Sequence, residues 1–357
     1  MAYELTKKLR SVDMYVPSEG SCRVRLDANE SCFNIMDRLG DEILGSLKGA
    51  ELNRYPDPSA EAVTQAFADF YGVSPQMCTA GNGSDELISL ILGAFLEKGD
   101  SILTLSPDFS MYAFYGYINE LKIKTLQKEE NLRVSIPKVI DYCNNNDIKA
   151  VIFSNPCNPT SLGVSKEDII KLLKNVFCLV IVDEAYMDFW GESILDRVTE
   201  FDNLIVLRTC SKNMGLAALR LGFAVASPSI TAAMKAVKSP YNTSSLDQAA
   251  ACAALRNKPV IMEYTAEIVR SRKALQAALE ELSEGFTQIE RVYDSVTNFV
   301  FFKSARSEEI CRGLEENSVS VRRIGGYIRV TAGTDEENEA FLSALKEILA
   351  ELDSGNS

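Results

Sequence analysis

The chain has 357 residues, of which 46% are hydrophobic and 24% charged, with a net charge of −13. That length exceeds what one hydrophobic core usually serves and predicts a large domain plus a smaller one, while the acidity argues against a nucleic-acid surface, which needs a basic face to displace counterions. There is no histidine, so a Ser-His-Asp triad, the common histidine zinc sites and an imidazole base are excluded, and acid-base chemistry falls to Lys, Tyr, Asp, Glu or a cofactor.

The opening Met1-Ala2-Tyr3-Glu4-Leu5 lacks the apolar stretch of a signal peptide. No apolar run approaches the roughly 20 residues that span a bilayer, so a cytoplasmic protein is expected. Nine cysteines are scattered without a C-x-x-C pair, several inside apolar runs such as Phe177-Cys178-Leu179-Val180, and read as reduced core thiols with no metal site. Helical periodicity begins after Pro58 and stops near Gly72, and a second helix follows Gly83-Ser84-Asp85-Glu86 as far as Gly99. Short β-rich runs then alternate with helical stretches: Ser101–Leu105, Leu121–Leu126, Ala150–Ser154, Phe177–Asp183, Asn203–Thr209 and Leu221–Ala226. This alternation predicts an α/β fold with a mostly parallel central sheet between helices. From Ser244 to Leu282 the pattern is helical. Strands at Thr297–Phe302, Val319–Arg323 and Tyr327–Thr331, with helices at Glu308–Glu316 and Asp335–Leu352, then predict a smaller α+β lobe. The expected division is an arm and part of the small domain over 1–45, a large domain over 46–245 and a small domain over 246–357.

Four segments carry chemistry. In Arg208-Thr209-Cys210-Ser211-Lys212, the lysine follows a strand and can line the cleft outside the sheet's carboxyl edge. A lone lysine is ordinarily a solvated one, but Thr209, Ser211 and Arg220 can surround a phosphate and leave Lys212 for covalent work. The apolar run ending in Asp183-Glu184-Ala185-Tyr186 delivers a carboxylate to the same edge, either to face a pyridine nitrogen or simply to cap a turn. Ser154-Asn155-Pro156-Cys157-Asn158-Pro159-Thr160 is a rigid turn that can aim one amide into a pocket, or a plain loop. Ala80-Gly81-Asn82-Gly83-Ser84-Asp85-Glu86 departs from a dinucleotide fingerprint because Glu86 stands where the last glycine belongs, which disfavours a nucleotide-binding oxidoreductase. What it retains is a glycine turn opening a helix whose free N–H groups suit a phosphate.

Together these segments, in this order, resemble the fold-type I aminotransferases that depend on pyridoxal 5′-phosphate (PLP), most closely the histidinol-phosphate aminotransferases. The resemblance covers nearly the whole chain. It implies Lys212 as the Schiff-base lysine, Asp183 as the pyridinium partner, and Tyr186 with Asn158 on the ring oxygen. It implies a phosphate site of Ser84, Asp85, Thr209, Ser211 and Arg220, with Phe109 stacked on the ring and Tyr55 reaching the phosphate of a neighbouring subunit in a homodimer. On the substrate side it implies Arg329 for the donor carboxylate, Arg322 for a substrate phosphate with Arg323 easily confused with it, Asn158 again, and Tyr15 from an N-terminal arm that enters the other subunit's site. The implied reaction exchanges an amino group between glutamate/2-oxoglutarate and a phosphorylated amino compound, histidinol phosphate. A decarboxylase of threonine phosphate, or an aminotransferase for another substrate, would keep the same cofactor residues. A non-catalytic regulator of the same fold would need a basic DNA-binding module for which this chain has no spare length or charge. Two departures stand out: Ala28-Asn29-Glu30-Ser31-Cys32-Phe33-Asn34 where the family has Asn-Glu-Asn-Pro-x-Gly, and Ser161 where a glycine is usual.

Overall fold

The computed structural model describes residues 3–12 and 22–354. In chain order the first half contains α1 (Lys7–Arg10), β1 (Val24–Arg25), α2 (Met36–Leu47), α3 (Glu61–Tyr71), β2 (Cys78–Gly81), α4 (Gly83–Ala94), β3 (Ser101–Ser106), α5 (Met111–Ile118), β4 (Lys122–Gln127), α6 (Ile136–Asn145) and β5 (Ile148–Ser154). There follow α7 (Lys166–Asn175), β6 (Leu179–Asp183), β7 (Leu204–Thr209), β8 (Gly222–Ala226), α8 (Pro228–Val237), α9 (Ser245–Arg256) and α10 (Lys258–Gly285). The last part is β9 (Arg291–Val292), β10 (Phe299–Lys303), α11 (Ser307–Glu316), β11 (Val319–Ser320), β12 (Arg322–Ile324), β13 (Tyr327–Thr331) and α12 (Asp335–Ser354).

Seven strands form one sheet in the order β2-β8-β7-β6-β5-β3-β4. The pairs from β7 through β6, β5 and β3 to β4 are parallel, and β8 runs antiparallel to both β7 and β2. Every residue of β7 and β8 is buried, as expected of strands covered by helices on both faces. The two-residue period divides them cleanly. Val180, Val182, Leu204 and Val206 pack towards α3, α7 and α9, whereas Ile181, Ile205 and Leu207 pack towards α4 and Tyr112 of α5. The edge strand β4 exposes Lys122 and Lys124, charges that blunt an open edge against further pairing.

The second body is the antiparallel sheet β12-β13-β10-β9 with the short parallel pair β1-β11. Its core joins Val300, Phe302, Ile328 and Val330 to α11 and α12 and to Leu275 and Leu279 of α10. Ile35, Leu39 and Ile43 of the α2 region and Ala250 to Tyr264 belong instead to the core around the large sheet. Helix α10, 28 residues long, therefore runs from one core to the other, a reach of about 42 Å at 1.5 Å per residue.

Candidate active site

Register brings the motifs together. Ser154 on β5 lies beside Asp183 on β6, and Thr209 at the end of β7 faces Gly222, which in turn faces Gly81 at the end of β2. The turns after β2, β5, β6 and β7 thus open at one edge of the sheet, which is where α/β folds build their clefts.

The anion pocket is assembled from two of these turns. The Thr209 and Ser211 hydroxyls are 2.9 Å apart, the Ser211 amide donates to Thr209 Oγ1 at 3.1 Å, and Arg220 Nη1 approaches Ser211 Oγ at 3.5 Å. Arg220 also reaches Asp85 at 3.4 Å. Helix α4 begins against this group with no capping side chain on its first N–H groups. Gly83 sits at φ +79°, and a Cβ there would lie 2.8 Å from Arg220 Nη2. Gly222 is equally constrained, since a Cβ would stand 2.6 Å from the Ser84 nitrogen. Glu86, the residue that spoils the dinucleotide pattern, accepts from the Asn82 amide at 2.6 Å and from Asn242 Nδ2 at 2.8 Å, so it braces the turn.

Beyond the pocket stands Lys212, whose Nζ donates to Ala28 O at 3.1 Å and lies 5.7 Å from the centre of the Tyr186 ring. Asp183 is buried at the end of β6 on the same face as Ile181, and its Oδ2 accepts from the Tyr112 hydroxyl at 2.8 Å while Oδ1 accepts from the Ala185 amide at 3.1 Å. Burial raises its carboxyl to about 7, a rise that the Tyr112 and Ala185 hydrogen bonds oppose. Glu184, one residue on, points to the opposite face and pairs with buried Arg208 at 2.9 Å. Phe109 meets Tyr112 edge to face, ring centres 5.5 Å apart.

The small body closes the other side. Arg329 Nη1 donates to Asn158 Oδ1 at 2.6 Å, its Nη2 donates to Asp27 O, and its guanidinium lies 5.4 Å from the Phe299 ring centre. Arg322 is the direct cross-strand partner of Arg329. Strand alternation turns Arg323 to the other face, where it pairs with Glu308 at 2.7 Å. Ser161 adopts φ +61° and donates from its hydroxyl to Asp294 O at 2.9 Å, while its own O accepts from the Val296 amide. The serine thus fastens the loop after β5 to the segment before β10.

Two side chains at the site went unassigned at the sequence level. Asn29, buried and at φ +54°, donates from Nδ2 to the Tyr186 hydroxyl at 2.9 Å, and its amide donates to Thr331 Oγ1 at 3.0 Å. Its signal lay in the segment that departs from the family pattern. Tyr112 had no signal beyond standing three residues after Phe109. Tyr55 is 80% exposed and stacks on Tyr241 with ring centres 4.6 Å apart; it touches none of the groups above within its own chain. Tyr15 lies outside the described residues.

The donor set fits PLP. An uncapped helix end with an arginine and two hydroxyls suits a phosphate, a primary amine stands beyond it, and a buried carboxylate with unused lone pairs suits a protonated ring nitrogen.

The comparisons agree with this geometry. Residues 23–345 match the family model "Aminotransferase class I and II". The chain is 38% identical over 352 residues to a histidinol-phosphate aminotransferase of Clostridium novyi, covering 97% of this chain and 98% of that one. It is 39% identical over 331 residues to that of Clostridium kluyveri, covering 91% and 93%. The crystal structure of histidinol-phosphate aminotransferase from Sinorhizobium meliloti in complex with pyridoxal-5′-phosphate has a TM-score of 0.88 at 22% identity, with 99% of each chain covered, and so shares the fold. The chain belongs to the class I and II aminotransferase family.

Proposed function

We propose that this chain is a PLP-dependent histidinol-phosphate aminotransferase, converting histidinol phosphate and 2-oxoglutarate to imidazole acetol phosphate and glutamate in histidine biosynthesis. The observation that carries the substrate reading is the cross-strand pair Arg322 and Arg329, joined to the cofactor side through Asn158. Two guanidiniums on one face suit a phosphate and a carboxylate in turn, because both anions take fork-shaped hydrogen bonding. The names of the relatives point the same way.

When bound, PLP supplies an electron sink for charge developing at the substrate carbon. Everything else is the work of this chain. Thr209, Ser211, Arg220 and the start of α4 would hold the phosphate, and Asp183 would keep the ring nitrogen protonated. Lys212 would hold the cofactor covalently, and its amine would be the base that moves the proton at the substrate Cα. Asn158 and Tyr186 orient the ring oxygen, with Asn29 holding the Tyr186 hydroxyl. Phe109 covers the ring face.

The decisive assay supplies histidinol phosphate and 2-oxoglutarate to the purified PLP-loaded protein and measures glutamate. Stoichiometric glutamate, lost in Lys212→Ala, is expected. Carbon dioxide release from threonine phosphate without glutamate formation would replace this reading with a decarboxylase.

We further infer a cytoplasmic homodimer with shared sites. Among the described residues no helix is long and apolar enough to cross a membrane. The exposed stack of Tyr55 on Tyr241, with exposed Leu52 beside it in the chain, leaves aromatic surface for a second copy to cover, and Tyr55 would then reach the partner's cofactor phosphate.

A further inference from the structure

We propose that Tyr112 is a positioning residue for amino transfer: its hydroxyl holds Asp183 oriented and ionised, keeping one carboxylate oxygen turned towards the cofactor's ring nitrogen. This rests on the reading of Asp183 as the ring's partner.

Tyr112 is fully buried, and a buried phenol must find a hydrogen-bond partner or lose the solvation of its hydroxyl. The partner is Asp183 Oδ2, at 2.8 Å. Among the described residues no other side chain hydrogen-bonds Asp183; the only further donor is the Ala185 amide, on Oδ1. Ile102, Ile152 and Ile181 belong to the same apolar cluster as Tyr112, so water does not compete for the hydroxyl.

Direction matters here. Burial and the neighbouring Asp183 carboxylate push the Tyr112 phenol well above its ordinary range, so it remains protonated and can only donate. A donor of that kind favours the carboxylate over the carboxylic acid. The surrounding charges work against it: Asp85 in the first turn of α4 and Asp108 just before α5 both disfavour ionisation of Asp183, as does desolvation. Asp108 is itself tied to buried Lys128 at 3.6 Å and to Ser154. The neutral Tyr112 hydroxyl is the side chain that, together with the Ala185 amide, opposes these effects without adding charge. The edge-to-face contact with Phe109 makes the same side chain a support for the residue proposed to cover the ring.

The test is Tyr112→Phe, which keeps the ring packing and removes one hydroxyl. Three quantities are measured beside the parent and Asp183→Asn: the pH profile of kcat, the visible spectrum of the bound cofactor against pH, and the PLP dissociation constant of the cofactor-free protein by equilibrium dialysis. In Tyr112→Phe the acidic limb of kcat and the spectral midpoint should move up by about one to two pH units. That is the ten- to hundredfold change in ionisation that losing a hydrogen bond to a charged group produces. KM for 2-oxoglutarate should stay within about twofold, since substrate binding is untouched, and PLP should bind more weakly below the shifted midpoint. Site-specific 3-fluorotyrosine at position 112 supplies a second arm should Tyr112→Phe fold poorly: a more acidic phenol donates more strongly, so the limb should move down. Parental profiles in both variants, with Asp183→Asn impaired, would overturn the role of Tyr112. Parental activity and spectrum in Asp183→Asn would instead overturn the reading of Asp183 on which it rests.

Discussion

Asp183 gains its chemistry from a single step of strand alternation. Odd positions of β6 face α4 and α5, so Asp183 follows Ile181 into an apolar layer and meets Tyr112, whereas Glu184 turns to Arg208 on the other face. Its burial has a measurable cost. Because the folded-state carboxyl of the cofactor-free protein is raised to about 7, between pH ~4 and ~7 the native protein holds a proton that the unfolded chain has released. This contribution to stability is therefore complete below the unfolded value near 4 and is lost as pH rises through about 7. We predict that stability of the cofactor-free protein, followed by urea midpoints, falls across that window relative to Asp183→Asn, with a limiting slope of about 1.4 kcal/mol per pH unit from this one group. A parent-minus-variant difference independent of pH would show that Asp183 titrates normally. From the sequence the acid at a strand end was legible, because the apolar run stops at Asp183, although a turn cap would read the same; Tyr112 and Asn29 were not, because each acts through a residue distant in the chain.

At the level of elements, the start of α4 shows how a local motif acquires a purpose. Ser, Thr, Asp and Asn side chains are favoured partners for the first N–H groups of a helix, and Ser165 serves α7 and Ser244 serves α9 in this way. Helix α4, like α2, α5 and α8, has no such cap; what sets it apart is Arg220, which lies against Gly83 and Asp85 of its first turn. We predict that Gly83→Ala lowers affinity for PLP at least tenfold, since it strains a positive φ and sets a methyl against the Arg220 guanidinium. Equilibrium dialysis against PLP checks this, and a melting temperature of the cofactor-free variant close to the parent's would assign the loss to the pocket. The glycine turn and the helix behind it were legible in Gly81-Asn82-Gly83-Ser84. The structural role of Glu86 was not, since it depends on Asn242, 156 residues away.

For the whole molecule, the two bodies meet over the site. Segment 27–30 from the N-terminal side, Asn158 from the large sheet and Arg329 from the small one are joined by hydrogen bonds. The proposed dimer adds Tyr55 from a second copy. A two-fold interface is self-complementary, so each subunit lends what it borrows. We predict that Lys212→Ala and a Tyr55→Ala, Tyr15→Ala double variant, each nearly inactive alone, recover about a quarter of the wild-type sites after random subunit exchange, because about half of the protein becomes heterodimer with one intact site in two. Confirmed exchange without recovery would mean that both tyrosines act within their own chain or not at all.

What the sequence determined by itself is whatever repeats with a short period or sits within a few residues of a strand end. The alternation of strands and helices, the order of the four motifs, the placing of Lys212 and Asn158 just beyond predicted strands and of Asp183 at the end of one, and the glycine turn that opens a helix all have this local character. Tertiary structure alone decided the rest. Only pairing of β12 with β13 puts Arg322 across from Arg329 and turns Arg323 away to Glu308. Only the docking of segment 27–30 onto both bodies gives Asn29 its contacts with Tyr186 and Thr331. Only the packing of α5 on the large sheet brings Tyr112 to Asp183, 71 residues away. The reason is physical: propensity and periodicity act over one or two turns of chain, whereas the partner of a buried hydroxyl, guanidinium or carboxylate is chosen by which elements the folded core brings within about 3 Å.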